Sequence, residues 1–274
     1  MRFITHQPCP FLAEFIDFFW HYEGYDPQHT MEKLLPAGDI ELVIDLDDCP
    51  KRLFDNEDQN RYDYKKRCWV SGMQSDYLII EATPQSSMMG VRFRPGGAHA
   101  VFKFSVTELL DSVIELEDIW GSQIKTCWEE LMDASIPSQK FAILESFLCR
   151  QLGHQAQRNP IVDATLPYLS LAGEMPSIGA LAQKARVSHK HLIRTYNKVV
   201  GMRPKLLSRI YKFQKAIQML EQNKGLQWTA LAYECGYYDQ AHFIKEFKRF
   251  SGFNPTTYLD QHGDYVNYIP LDGI

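Results

Sequence analysis

The chain has 274 residues, 45% of them hydrophobic and 23% charged, with a formal net charge of −5 at pH 7. This length exceeds that of one average domain, and the composition is that of a folded protein rather than a disordered one. Glu14, Asp17 and Glu23 interrupt the apolar opening segment, and no run of 18 uncharged apolar residues occurs. We therefore expect two domains, no signal peptide, no membrane span and a cytoplasmic location.

The cysteines do not suggest a metal site or a disulfide framework. None of the six forms a C-x-x-C pair, which zinc sites and small disulfide-rich folds commonly use. His189 and His191 are two positions apart, so they do not lie on the same face of a helix. They therefore do not suggest a set of metal ligands. We expect reduced, mostly buried thiols, no metal and no cofactor. The cysteines are Cys9, Cys49, Cys68, Cys127, Cys149 and Cys235.

The charge is distributed unevenly along the chain. Residues 158–262 contain fifteen Lys and Arg against seven Asp and Glu, a net charge of +8. Residues 1–157 carry −11, and the last twelve residues carry −2. A basic segment beside an acidic one is expected when a polyanion binds only one half of a protein, although a solvated basic surface would have the same composition.

Two segments of the N-terminal half alternate apolar and polar residues, as β-strands with one buried face do. They are IELVIDLDD, from residue 40, and SMMGVRFRPGG, from residue 87. We expect an antiparallel sheet or barrel over about residues 2–98. Four polar positions could line a barrel interior that binds a small-molecule effector, or could face solvent. These positions are Glu41, Asp45, Arg92 and Arg94.

Three helical segments are predicted after these strands: VTELLDSVI, IKTCWEELMDA and SQKFAILESFLCRQLGHQ. The last repeats apolar residues on one face from Phe141 to Leu152, with Ser138 as its expected N-cap. This face either packs against the sheet or forms a dimer interface. The polar stretch GHQAQRNP is the expected linker, so we place a domain boundary near residue 157.

The C-terminal half contains the same supersecondary unit twice, with fifty residues between Leu181 and Leu231. Each copy has a short helix containing A-L-A, a tight turn, a second helix with a cationic face, then a glycine and a proline. Ser188 and Asp239 are the expected N-caps of the two second helices. This arrangement predicts two helix-turn-helix units, whose second helices would enter the major groove of DNA.

A longer helix, over about residues 204–222, is predicted between the two units. At 1.5 Å per residue it would be roughly 28 Å long. Successive major grooves are separated by about 34 Å along the duplex, so this helix could hold both second helices near adjacent grooves. Gly201 and Gly252 are expected to end the second helices in the left-handed conformation.

The second copy, GYYDQAHFIKEFKRFSGFNPTTYL, resembles the signature of the AraC/XylS family of transcription regulators. The resemblance extends over about 100 residues, from Ala164 to Leu259. In the N-terminal half, LLPAGDIELVID and GVRFRPGG resemble a sensor-like domain found in one branch of that family. The residues that match the signature are Gly236, Tyr237, Asp239, His242, Phe243, Lys245, Phe247, Lys248, Arg249, Gly252, Pro255 and Tyr258.

The resemblance implies which side chains face DNA. In the first unit the groove-facing residues would be Lys190, Ile193 and Arg194, outside a buried stripe of Leu192, Tyr196 and Val199. Arg194 has the geometry for a bidentate contact to guanine. In the second unit they would be Gln240, Ala241 and Lys245, where Gln240 suits adenine and Lys245 replaces the more frequent arginine. The phosphate-contact candidates are Lys198, Lys205, Lys248 and Arg249. Trp228 and Tyr233 are expected to pack around the A-L-A core.

The resemblance further implies an α+β protein with an N-terminal antiparallel sheet or barrel domain and an all-α tandem helix-turn-helix domain. We expect a sensor or dimerisation domain with a helical extension over residues 1–157, the DNA-binding domain over 158–262 and a tail over 263–274. The expected partners are double-stranded DNA, RNA polymerase for an activator, a small-molecule effector and a second copy of the chain. The chain is expected not to be an enzyme. The alternative is enzymatic or thiol-based DNA-repair or sensing chemistry in the N-terminal domain.

Overall fold

The computed structural model describes residues 1–170, 176–222, 227–263 and 265–271. Within these ranges the first 115 residues are mainly strands, and the following residues are mainly helices. The strands are β1 (Arg2–His6), β2 (Ile16–Tyr25), β3 (Met31–Leu34), β4 (Ile40–Asp45), β5 (Lys51–Phe54), β6 (Tyr62–Lys65), β7 (Cys68–Ser71), β8 (Leu78–Glu81), β9 (Ser86–Phe93), β10 (Val113–Glu115) and β11 (Tyr268–Leu271).

The strands form two antiparallel sheets. The first sheet has the order β1-β2-β9-β4-β7-β10, and the second has the order β11-β3-β8-β5-β6. The predicted antiparallel sheet domain is confirmed. Neither sheet closes on itself among the described residues, so the barrel alternative is wrong. Both faces of strand β4 are buried, whereas the predicted pattern has one solvent-exposed face. On the face predicted to be polar, Val43 is 9% exposed and Asp45 is completely buried.

Most of the described residues after β10 are helical, and one α-helix lies between β9 and β10. The α-helices are α1 (Gly97–Phe102), α2 (Glu117–Trp120), α3 (Ser122–Asp133), α4 (Pro137–Leu152), α5 (Pro160–Thr165), α6 (Pro167–Ser170), α7 (Ile178–Lys184), α8 (His189–Val200), α9 (Pro204–Gln222), α10 (Trp228–Glu234), α11 (Gln240–Ser251) and α12 (Pro255–Gln261). None of the described helices is long and apolar enough to cross a membrane.

The segment VTELLDSVI is not an α-helix as predicted. Residues Val106–Leu109 form a 3₁₀ helix, and β10 follows, pairing with β7 so that Val113 lies opposite Ser71. Asp111, between the two, has a φ of 54°, which an α-helix does not accommodate. Sheet pairing at an edge strand therefore overrides the local helical pattern.

The start and the role of α4 also differ from the expectation. The helix begins at Pro137 with Ile136 as its N-cap, so the cap predicted at Ser138 is wrong. Its apolar face is buried within the chain, where the Phe141 ring stacks 5.0 Å from that of His6. Of the two alternatives, packing against the sheet is confirmed and the dimer interface on this face is wrong.

The helical part rests directly on the sheet part. The Thr107 hydroxyl donates a 2.5 Å hydrogen bond to the carbonyl of Asn197 on α8. On α9, the amide nitrogen Nε2 of Gln214 donates to the Pro36 carbonyl (2.8 Å) and to Asn267 Oδ1 (3.0 Å). The largest cluster of buried hydrophobic side chains includes residues of both parts. The boundary near residue 157 stays a prediction.

The predicted tail does not extend away from the protein. Its strand β11 pairs with β3, with Tyr268 opposite Leu34, and Ile269 is completely buried. Residues 264 and 272–274 of this predicted tail lie outside the described residues. The C-terminal end of the chain thus returns to the N-terminal sheet, a contact that no local pattern indicates.

Candidate functional sites

Both predicted helix-turn-helix units are present, as α7 with α8 and as α10 with α11. The Ser188 hydroxyl accepts a hydrogen bond from the His191 backbone N–H (3.2 Å), and the Asp239 carboxylate accepts one from that of His242 (2.7 Å). Gly201 and Gly252 follow the second helices with φ values of 97° and 76°, where a residue with a Cβ would be strained. The predicted caps at both ends are therefore confirmed.

The linking helix α9 has the predicted bounds and holds the second unit by a charged pair. The Arg209 guanidinium on α9 binds the Glu246 carboxylate on α11 through two hydrogen bonds, of 2.5 Å and 2.8 Å. Lys212 donates a 2.6 Å hydrogen bond to the carbonyl of Gly236, which lies in the turn between α10 and α11. These contacts limit rotation of α11 about α9. They were not predicted, since nothing in the local sequence pairs residues 37 positions apart.

In the first unit, the buried stripe of α8 is observed as predicted. On its outer side, Lys190 and Arg194 are exposed one turn apart, and Ile193 is half-buried beside them. Arg194 Nη2 lies 3.0 Å from His191 Nδ1, so the guanidinium is held against its own helix. Lys198 is exposed in the last turn.

In the second unit, Ala241 and Lys245 are exposed one turn apart on α11, at the positions that correspond to the outer face of α8. Gln240 is half-buried, and its Oε1 accepts a 3.0 Å hydrogen bond from Thr229 on α10. This contact leaves the amide NH₂ group of Gln240 available as a donor. The remaining phosphate-contact candidates are all exposed; they are Lys205, Lys248 and Arg249.

The aromatic residues of α10 do not both pack as expected. The Trp228 ring lies 6.3 Å from that of Phe243, in agreement with a packing role. Tyr233, however, is 83% exposed, so the packing expected for it is wrong. Leu231 and Ala232 are the fully buried residues of α10, and Tyr233 immediately follows them on the outer side.

A cavity of about 240 Å³ lies between the two sheets. Strand register explains which side chains reach it, because alternate residues of β2, β9, β4 and β7 share the inner face. Trp20, Gly90, Val43 and Trp69 lie in one cross-strand row. A Cβ on Gly90 would lie 2.4 Å from the Trp20 ring, so glycine is what lets this ring lie flat against the sheet. The cavity therefore has an aromatic floor.

The cavity contains two of the four predicted effector contacts. Glu41 and Arg92 line it, whereas Asp45 and Arg94 do not. Asp45 is fully covered and lies 3.5 Å from the Lys51 ammonium group. Arg94 follows the end of β9 and pairs instead with Asp17 at 3.3 Å. The predicted alternation fails at Arg94 because the strand ends one residue earlier, at Phe93.

One end of the cavity carries a charged triad. Arg92 Nη2 lies 2.6 Å from Glu41 Oε1, and Arg92 Nε lies 3.0 Å from Asp39 Oδ2. Burial raises the pKa of Glu41 to about 7, although the Arg92 charge lowers it. Burial also raises the pKa of Asp39. The Arg92 guanidinium therefore forms ion pairs with both the Glu41 and the Asp39 carboxyl groups.

The aromatic floor and the second sheet's Lys51 were missed from the sequence. A signal for the floor was present in FFWHY, where Phe18, Trp20 and Tyr22 alternate at the spacing of one strand face. The Trp20 and Tyr22 rings stack 5.9 Å apart with an interplanar angle of 5°. Lys51 gave no such signal, because its position depends on how the second sheet covers the first.

Two family models match separate parts of the chain. A domain of unknown function (DUF6597) matches residues 4–115, and a helix-turn-helix domain matches residues 181–261. An uncharacterized HTH-type transcriptional regulator of Haemophilus influenzae is 33% identical over 81 residues. That match includes 30% of this chain and 27% of the Haemophilus protein. The chain therefore spans about a quarter of the length of this curated relative.

The solved structures that match the chain are more distant in sequence. A structure of ToxT from Vibrio cholerae with a bound unsaturated fatty acid is 11% identical, with a TM-score of 0.46. The match covers 94% of this chain and 97% of the ToxT chain. An AraC-type transcriptional regulator from Chromobacterium violaceum is 19% identical, with a TM-score of 0.33. The match covers 36% of this chain and 88% of the Chromobacterium chain.

Proposed function

We propose, from the premise that the C-terminal part of this chain is an AraC-type helix-turn-helix domain, that one chain of this DNA-binding transcription regulator reads two successive major grooves. The supporting observation is that α8 and α11 each present exposed polar or cationic side chains, with α11 anchored on α9 through the Arg209–Glu246 pair. The 19 residues of α9 give a length near the spacing of adjacent grooves.

The two reading helices have different chemical capacities in this proposal. Arg194 makes a bidentate contact to guanine O6 and N7, with Lys190 and Ile193 beside it. Gln240 donates to adenine N7 and Lys245 supplies a single cationic contact, so the second unit discriminates bases less sharply. Phosphate contacts supply most of the affinity and no sequence information. The residues assigned to them are Lys198, Lys205, Lys248 and Arg249.

An effector in the cavity would control this binding. The segment that forms one cavity wall, Leu35 to Asp39, also contacts α9, because a Cβ on Gly38 would lie 3.0 Å from the Tyr211 ring. Asn267, which lines the cavity, binds Gln214 of α9. An occupant that displaces this wall would shift the helix that separates the two reading helices. We further propose that the bound regulator acts in the cytoplasm as an activator that recruits RNA polymerase.

Selection of bound sites from random double-stranded DNA with the full-length chain tests the proposal. We expect enrichment of one asymmetric site whose two halves lie about one helical turn apart. Paired sites with two-fold symmetry would indicate that a homodimer, rather than a single chain, is the reading unit. Absence of any enriched sequence, with and without cell extract as a source of effector, would contradict sequence-specific binding.

Four of the six cysteine environments give the thiol-based alternative no support. A nucleophilic cysteine needs a lowered pKa, which cationic neighbours or a metal provide. Burial instead raises the pKa of Cys127 to about 12 and those of Cys149 and Cys235 to about 11. Burial also raises the pKa of Cys68. These four thiols are therefore held in the protonated, unreactive form at neutral pH.

A further inference from the structure

Two buried polar atoms beside the cavity lack hydrogen-bond partners among the described residues: Lys51 Nζ and Thr83 Oγ1. Both residues line the cavity. Lys51 is only 5% exposed, and the nearest carboxylate oxygens, on Asp45 and Asp47, lie 3.5 Å and 3.6 Å from its nitrogen. These distances allow charge attraction but exceed those of a good N–H···O hydrogen bond.

Strand register places the backbone of Lys51 close to that of Thr83. Leu53 of β5 lies opposite Ile80 of β8, so Lys51 falls opposite residue 82 in this antiparallel pair, next to Thr83. An unsatisfied buried ammonium group or hydroxyl is costly, and a native structure normally provides a partner. A ligand acceptor atom in the cavity would give Lys51 Nζ or Thr83 Oγ1 the missing partner.

The charges around the cavity limit what can bring that acceptor. Four acidic and four basic side chains line it, and burial weakens the negative charge of Asp39 and Glu41 by raising their pKa values. The acidic ones are Glu32, Asp39, Glu41 and Glu81, and the basic ones are Lys51, Arg52, Lys65 and Arg92. Asp45 and Asp47, which flank Lys51, add two further negative charges. A ligand carboxylate at Lys51 would meet these two carboxylates, so an anion is disfavoured. A cation would meet the Lys51 ammonium group itself.

The middle of the cavity determines the shape of the ligand. On one side lie the rings of Trp20 and Trp69 with Val43 between them, and on the other lie aliphatic side chains of the second sheet, Leu34, Leu53 and Ile80. Two flat, apolar walls favour a planar ring system, which gains from burial and from stacking on the aromatic floor.

We propose that the cavity binds an uncharged, planar aromatic compound whose carbonyl or hydroxyl oxygen accepts a hydrogen bond from Lys51, with Thr83 as the second polar contact. This inference deepens, and for its regulatory consequence rests on, the proposed effector-controlled function. The site uses Lys51 as a donor, while Asp45 and Asp47 compensate its charge when the ligand is absent and when it is bound.

A matched indole series tests the ligand class on the full-length chain by isothermal titration calorimetry. The probes are 3-acetylindole, which is uncharged, indole-3-acetate, which is anionic, and tryptamine, which is cationic. We expect 3-acetylindole to bind at least tenfold more tightly than either charged probe. Tighter binding of a charged probe, or no binding of 3-acetylindole, would overturn the proposal.

Variants of the chain then test the site. Lys51→Met should weaken 3-acetylindole binding about tenfold or more, since the lost hydrogen bond comes from a charged donor. Lys66→Met, which removes an exposed lysine outside the cavity lining, is the matched control and should leave binding unchanged. If Lys51→Met does not fold, the double variant Lys51→Met with Asp45→Asn retains the local net charge and should show the same loss. Unchanged affinity in a folded Lys51 variant would refute its role.

A cavity-filling variant and a DNA measurement separate the remaining outcomes. Val43→Phe places a ring between Trp20 and Trp69 and should abolish 3-acetylindole binding; retained affinity would place the probe outside the cavity and contradict the proposal. Binding of the ligand-free chain to its selected DNA site is measured in parallel. Failure of the indole series with intact DNA binding overturns the ligand class alone, whereas loss of DNA binding counts against the regulator function.

Discussion

Arg194 and Lys198 lie one turn apart on the exposed side of α8, yet the proposed contacts give them different consequences for DNA binding. A guanidinium can match two acceptors of one base, whereas an ammonium group on a flexible stem serves best as a point charge at a phosphate. Exchange of either residue for alanine should leave the fold intact, because neither side chain is buried.

Arg194→Ala should cost about 1–3 kcal/mol of binding free energy at the preferred site and relax base selectivity at one position. Lys198→Ala should weaken binding to all sequences similarly and reduce the salt slope by about 1. Fluorescence anisotropy with preferred and single-mismatch duplexes over a range of salt concentrations measures both effects. Unchanged selectivity in the Arg194 variant would remove it from the base-contact set.

Glu41 gives a second prediction for a single residue, about pH dependence. The folded chain binds the Glu41 proton more tightly than the unfolded chain does, since burial raises its pKa from 4.5 to about 7. The resulting stabilisation is complete below about pH 4.5 and is lost as the pH rises through about 7. Glu41→Gln keeps the shape of the neutral carboxyl group, and should make Tm fall less between about pH 5 and pH 8.

Differential scanning calorimetry across this pH range measures the effect. Glu57→Gln is the control, because Glu57 is exposed and its replacement should reproduce the pH profile of the natural chain. An identical profile for the Glu41 variant would mean that Arg92 keeps this carboxyl group ionised in the folded state.

At the scale of elements, α11 depends on its first turn. The helix has 12 residues, of which Phe243, Phe247 and Phe250 are completely buried, so packing holds its inner face. The backbone N–H groups of its first turn have no such support and depend on capping. Asp239 supplies that cap and places a negative charge at the positive end of the helix dipole.

Asp239→Ala should lower the free energy of unfolding by about 1 kcal/mol, within the 0.5–2 kcal/mol range of N-cap losses. It should also weaken DNA binding, because the cap lies directly before Gln240 and Ala241. Urea unfolding followed by circular dichroism provides the measurement. Asp260→Ala, at an exposed position in the last turn of α12, is the matched control and should cost nothing. Equal effects of the two changes would argue against a capping role.

At the scale of the whole molecule, the second helix-turn-helix unit contacts the sheets through a buried cation. The Lys33 ammonium group of β3 lies 4.2 Å from the Tyr77 ring centroid and 4.1 Å from that of Phe253, which follows α11. Lys33 is 9% exposed, so these two ring faces replace much of its hydration. A Cβ added to Gly252 would lie 2.5 Å from this nitrogen.

Gly252→Ala should therefore destabilise the chain more than an equivalent change elsewhere. Gly96 has nearly the same backbone conformation (φ 85°, ψ −12°), but a Cβ there would make an ordinary 3.4 Å contact with Val199. Gly96→Ala thus reports the cost of a positive φ, about 1–2 kcal/mol. Gly252→Ala should add about 1 kcal/mol for the displaced cation–π contact. Equal losses in chemical unfolding would show that Lys33 moves aside freely.

The sequence alone determined the C-terminal architecture of this protein. Helix periodicity, N-caps and C-terminal glycines are local signals that span a few residues, so both helix-turn-helix units and the bounds of α9 were predicted from them. The DNA-facing positions were predicted from the family resemblance, and the charged residues among them are all exposed in the structure. The contacts of those positions with DNA remain predictions.

Only the tertiary structure decided how the N-terminal sheets enclose a cavity and how the two parts of the chain meet. Asp45 and Arg94 have the sequence spacing of residues that face the cavity, but neither lines it. Arg94 lies beyond the end of β9, and Asp45 is covered beside Lys51 of the second sheet. The pairing of β11 with β3 joins residues more than 230 positions apart, and the Lys33 contact with Phe253 spans 220. Such contacts depend on the spatial arrangement of whole elements rather than on local spacing, which is why they were missed from the sequence.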